Sequence, residues 1–110
     1  MANTFKNSIT GSIGTSGTIA YTTPTATSTT VIGMNVANTV SNNISVSVMV
    51  RDNVGNKTVY LVKDALIIPG ASAVLIGGEQ KVVLKAGDFL SVTSSLANSA
   101  DTIVSVLEIT

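Results

Sequence analysis

Ala71 to Ser95, ASAVLIGGEQKVVLKAGDFLSVTSS, is the stretch whose reading decides the fold. The apolar run from Ser72 to Ile76 stops at Gly77-Gly78, where the chain can take positive φ without a Cβ clash. Val82 and Leu84 then alternate with Lys81, Val83 and Lys85, the period of two that gives a strand one buried and one wetter face. Ala86-Gly87-Asp88 is a turn, after which Leu90 and Val92 point opposite to Phe89, Ser91 and Thr93. The stretch therefore predicts three consecutive antiparallel strands.

Working outward, the same period recurs. Ile44, Val46, Val48 and Val50 occupy one face of a strand, with Ser45, Ser47, Met49 and Arg51 on the other; a helix would scatter those residues round its circumference. Asp52 to Asn56 closes a hairpin into Lys57 to Lys63, and Leu66-Ile67-Ile68 ends at Pro69-Gly70. Upstream, Thr30, Ile32, Met34 and Val36 alternate with Val31, Gly33, Asn35 and Ala37, after a loop from Thr22 to Thr29 that holds Pro24. Asp101 to Ile109 is apolar on both faces, which places it centrally or under a second layer or subunit. Short strands separated by turns make an all-β antiparallel β-sandwich, jelly-roll or Ig-like, of about eight strands.

The first residues are different. Phe5, Ile9 and Ile13 can share one side of an extended segment, but glycines and serines lie between and beyond them. This predicts an N-terminal arm over residues 1–16 and a single sandwich domain over 17–110. The arm either packs as an ordinary first strand or adds to the sheet of a neighbour, with Val104 and Val106 of the last strand as its docking surface. Phe5, Ile9, Ile13, Val104 and Val106 are thus the candidate assembly contacts.

The 110 residues hold one core's worth of chain, 45% hydrophobic and only 11% charged, with six Lys plus Arg against six Asp plus Glu. A zero net charge gives no field to attract nucleic acid or an anionic membrane, and does little to keep copies apart. There is no cysteine for a disulfide or a thiolate metal site, and no histidine to act as base or ligand. No apolar run approaches the roughly 20 residues of a membrane helix, and the opening residues have no apolar signal core, so the expectation is a protein made without leader or anchor.

The apparent motifs have plain readings. Gly11, Gly14 and Gly17 lack the spacing and the following helix of a phosphate-binding loop. Asp52, Asn53 and Asn56 suggest calcium, but position 63 is Lys where such a loop needs Glu. Asn43-Ile44-Ser45 and Asn56-Lys57-Thr58 fit the glycosylation pattern without a secretory signal. Asp52, Asp64, Glu79, Asp88, Asp101 and Glu108 fall at turns or strand ends, the structural use of carboxylates, and no aromatic platform accompanies them for a sugar. The expectation is no catalytic, cofactor or metal residues, and no enzyme.

The succession Tyr21-Thr22-Thr23-Pro24, Val31-Ile32-Gly33-Met34-Asn35-Val36-Ala37-Asn38, Tyr60-Leu61-Val62-Lys63, Ile68-Pro69-Gly70-Ala71-Ser72, Leu84-Lys85-Ala86-Gly87-Asp88 and Val104-Ser105-Val106-Leu107-Glu108-Ile109 resembles small β-sandwich structural proteins of tailed bacteriophage virions. The resemblance implies a non-enzymatic, many-copy virion protein made in the host bacterial cytoplasm. Its partners would be further copies of itself and other virion proteins such as the major capsid protein. A capsid decoration or cement protein is the leading expectation; a neck, collar or tail accessory protein, or a carbohydrate-binding module, is the alternative.

Overall fold

The computed structural model describes residues 2–77 and 81–110. Among these residues the chain forms nine strands: β1 (Asn3–Ile13), β2 (Thr18–Thr22), β3 (Ser28–Asn38), β4 (Ile44–Asp52), β5 (Lys57–Ile67), β6 (Ser72–Ile76), β7 (Val82–Leu84), β8 (Phe89–Ser94) and β9 (Ala100–Ile109). They make an all-β sandwich. One sheet has the order β1-β9-β3-β6, with β7 also paired to β3; the other has the order β2-β8-β4-β5. Every pairing is antiparallel. Counting β6 and β7 as one interrupted strand, this is the order of a jelly roll rather than of an Ig domain.

The core lies between the sheets and is almost wholly β-branched or leucine: Val31, Val36, Val46, Val48, Leu84, Leu90, Val92 and Val104 are fully buried. Each such side chain contributes about 1.5–3 kcal/mol by leaving water. The period of two read in β4 holds at Ile44, Val46 and Val48. The Ala71 to Ser95 stretch does contain three strands, but they do not pair with one another: β6 and β7 flank β3, and β8 crosses to the other sheet. The predicted turn at Gly77-Gly78 lies partly outside the described residues.

Two bulges against β9 changed the simple alternation. In β3 the register moves by one residue between Val31 and Gly33, so Val31 and then Met34 and Val36 face the core while Ile32 turns outward. In β1 the same happens between Thr10 and Ile13. Ser12 there adopts a φ of 55°, its N–H donates to Asp101 Oδ1 at 3.0 Å, and a Cβ on Gly11 would stand only 3.2 Å from that oxygen. The bulge carries Ile13 from the side of Phe5 and Ile9 into the core, where it is fully buried.

An aspartate at position 48 would set an unpaired charge in this core. Val48→Asp is expected to abolish the cooperative chemical denaturation transition, and a wild-type transition in that variant would mean the face is misassigned. Ser47, expected from the sequence to tolerate Asp, is less free: its Oγ accepts the Asp64 N–H at 3.0 Å, so an added carboxylate would meet Asp64.

Candidate assembly surface and its polar anchor

Antiparallel residues that lie directly opposite share a face. Reading the registers across the first sheet places Ile9 beside Ile103, Asn35 and Val74 in one row, and Phe5 beside Leu107, Thr30 and Val83 in another. Asn7, Ser105 and Gly33 form the polar row between them. This is the outer face of the sandwich, and its apolar side chains stand in water: Phe5 is 74% exposed, Ile9 78%, Val74 73% and Val83 68%. These three rows hold no charged residue; Asp101, opposite Ala37, lies one row beyond Ile103. Exposed apolar side chains gathered in two rows of one sheet face, with only a polar row between them, are the kind of patch that marks an interaction surface on a folded protein.

A depression of about 180 Å³ opens between the rows, lined by Phe5, Asn7, Ile32, Ser105 and the adjoining parts of Lys6 and Val106. It is smaller than the roughly 300–1,000 Å³ of a small-molecule site. Tyr60 is half exposed on β5, but Lys63 Nζ lies 5.0 Å from its ring centroid and covers a face that a sugar would need. The carboxylates near the β4–β5 loop are engaged by the chain itself: Asp88 accepts the N–H groups of Asn53 at 2.8 Å and Lys85 at 2.9 Å, and Asp52 accepts that of Gly55 at 3.2 Å. Among the described residues no group of three or more His, Cys, Asp or Glu is placed to hold a metal ion. Among the described residues no helix is long and apolar enough to cross a membrane.

The expected contacts divide. Phe5 and Ile9 stand exposed on the same outer face. Ile13, Val104 and Val106 are not available: all three are buried in the core, Ile13 through the bulge and the two valines because they occupy the inward positions of β9. β9 also has no free edge, being paired to β1 on one side and β3 on the other. In this chain residues Asn3–Ile13 form the edge strand of its own sandwich, the ordinary first strand of the two possibilities. The accessible apolar residues of β9 are instead Ile103, Leu107 and Ile109. Val83 was signalled by its place between Lys81 and Lys85 on the wetter face; Val74 was not, because Ala73 to Ile76 is apolar on both faces.

A polar cluster holds β1 in place. Glu108, 5% exposed, accepts the Tyr21 hydroxyl at 2.6 Å through Oε2 and lies 3.1 Å from Lys6 Nζ through Oε1. Tyr21 Oη is also 2.9 Å from Thr29 Oγ1. β9, β1, β2 and β3 are thereby joined at one carboxylate, across both sheets. Lys6 is half exposed, so its ion pair alone is worth little; the buried Tyr21–Glu108 bond is the stronger element.

No protein-family model matches the chain, and no curated protein matches it. In fold it is similar to a chain from a structure described as Bacillus endospore appendages that form a novel family of disulfide-linked pili, with a TM-score of 0.56 and 12% identity over 98% of this chain and 88% of that one. A chain from the structure of infectious bursal disease virus, Gt strain, aligns with a TM-score of 0.44 and 7% identity over 98% of this chain; this chain spans 35% of that one. The first likeness agrees with the sandwich architecture.

The cluster sets a pH dependence. The Tyr21 hydrogen bond, then Lys6, holds the Glu108 carboxyl below its ordinary value against the upward push of burial. A lowered carboxyl contributes stability above its unfolded pKa, and that contribution is lost as pH falls through the folded value. Burial, then the bond to Glu108, pushes the Tyr21 hydroxyl from 10.0 up to about 12, so its contribution is complete below 10.0 and is lost as pH rises towards 12. Tyr21→Phe leaves a buried carboxylate oxygen without its donor and is expected to cost about 1–3 kcal/mol at neutral pH. Urea denaturation across pH checks this: the variant should lose less further stability on acidification than the wild type, and an equal loss would exclude Glu108 as the acid-sensitive group.

Proposed function

We propose that this chain is a non-enzymatic structural subunit that works in many copies, self-associating through the outer face of its first sheet, on a bacteriophage virion as a capsid decoration protein. The observation that carries the reading is the pair of exposed apolar rows headed by Phe5 and Ile9 and continued by Val74 and Val83. The virion assignment is supported by the sequence resemblance from Tyr21 to Ile109, and its capsid partner would be the major shell protein. A neck, collar or tail position would use the same face in a ring.

A second reading is favoured by the fold likeness to the spore-appendage subunit: a subunit of a filament. The chain has no cysteine, so a filament built from it would be held without disulfides. Electron microscopy of the purified protein with and without phage shells separates the two. Regular binding to the shell supports decoration, and filaments formed without a shell support the appendage-like reading.

Phe5→Ser combined with Ile9→Ser tests the surface itself. Because both side chains are about three-quarters exposed in the single chain, melting should move by only a few degrees. Self-association in sizing experiments and binding to shells should both fall sharply. A double variant that assembles like the wild type would remove this face from the account.

A further inference from the structure

The sandwich has four edges, and three are guarded against further strand pairing. β5 carries two bulges against β4, together with Lys57, Lys63 and Asp64, whose φ is 55°. β2 has five residues and a bulge between Ile19 and Tyr21. On the far side of β3 the edge is divided into β6, with its own irregularity, and the three-residue β7. β1 differs. Its register with β9 is unbroken from Asn3 to Thr10, Lys6 is its one charged residue, and among the described residues no strand pairs with its other side. A long, regular, nearly uncharged edge presents its unpaired N–H and C=O groups as a template for another strand.

We propose that the occupant of this edge is β1 of a second copy, paired antiparallel about a two-fold axis at Asn7, so that two first sheets become one continuous sheet. This rests on the self-assembling reading above and specifies the contact. A two-fold axis perpendicular to the sheet keeps the outer faces on one side and opposes residues of like orientation. Centred on Asn7, it sets Phe5 against Ile9 of the other copy twice over, Asn7 against Asn7 and Lys6 against Ser8. Aromatic against β-branched is a favourable cross-strand pair, and no like charges are opposed. Centring on Lys6 would oppose the two ammonium groups. Centring on Ser8 would run Phe5 into the bulge at Gly11, and centring on Phe5 would leave Ile9 unpaired. The Asn7 register also pairs Thr4 to Thr10 about its centre, all of the regular run except Asn3. The two apolar rows of each copy then join into one larger face.

The absence of cysteine makes the test clean. Asn7→Cys places one thiol at the axis, and Thr58→Cys places one on the exposed part of β5. Each full-length variant is treated with a short bifunctional thiol cross-linker and resolved on a denaturing gel, with sizing of the wild type in parallel. The proposal expects a covalent dimer from Asn7→Cys and monomer from Thr58→Cys. Asn7→Lys, which opposes two ammonium groups at the axis and removes the 2.9 Å bond from Ser105 Oγ, should melt near the wild-type temperature but run as a monomer. If the wild type associates while Asn7→Cys gives no covalent dimer, or if Asn7→Lys still dimerises, the edge pairing is wrong and self-assembly by another contact stands. A wild type that is monomeric at every concentration overturns both.

Discussion

Glu108 is the residue on which the arrangement of the first strand depends. Its carboxylate is almost fully buried, yet it is bonded on one oxygen by Tyr21 from the opposite sheet and approached on the other by Lys6 from β1, with Thr29 of β3 completing the cluster. An isolated buried carboxylate would be strongly destabilising; here hydrogen bonding and a neighbouring cation offset that cost and convert it into a junction of four strands. The first and last strands of the chain are thereby fixed in one register, and that register determines what the molecule displays.

The display follows from sheet geometry. Once Lys6 is turned towards Glu108, Phe5 and Ile9 must point the other way, out of the sandwich, and β9 aligns them with Leu107 and Ile103. A monomeric surface protein would put charge there. The opposite occurs: charge is sparse throughout the chain, and the charges on the edges collect on β5, while the outer face of the first sheet keeps bare valine, isoleucine and phenylalanine. A face left apolar next to an edge left unguarded is coherent if both are covered in an assembly.

Much of this architecture was legible in the sequence. The valines of β4 and the turns at Pro69-Gly70 and Gly87-Asp88 are local signals, and local signals specify strands and turns well. Pairing was less legible, because β6, β7 and β8 are adjacent in sequence but bond to β3, β4 and β2, and such choices depend on the whole jelly roll. The exposed apolar rows were half legible. Phe5 and Ile9 could be grouped by spacing alone, but Ile13 has the same spacing and is buried, since the bulge at Gly11-Ser12 depends on Asp101 nearly ninety positions away. Val104 and Val106 were read as the docking side of the last strand, yet they face the core; a strand apolar on both sides carries no mark of which side faces inward.

Association at the first strand would cover the free backbone edge of β1 together with the outer face beside it. Amide hydrogen exchange on the unmodified protein, compared between dilute and concentrated solutions, tests it most directly, because unpaired edge amides exchange freely and paired ones do not. Protection should be gained in Asn3–Thr10 as concentration rises, with β5 unchanged. Protection gained along Lys57–Ile67 while β1 continues to exchange freely would contradict the account.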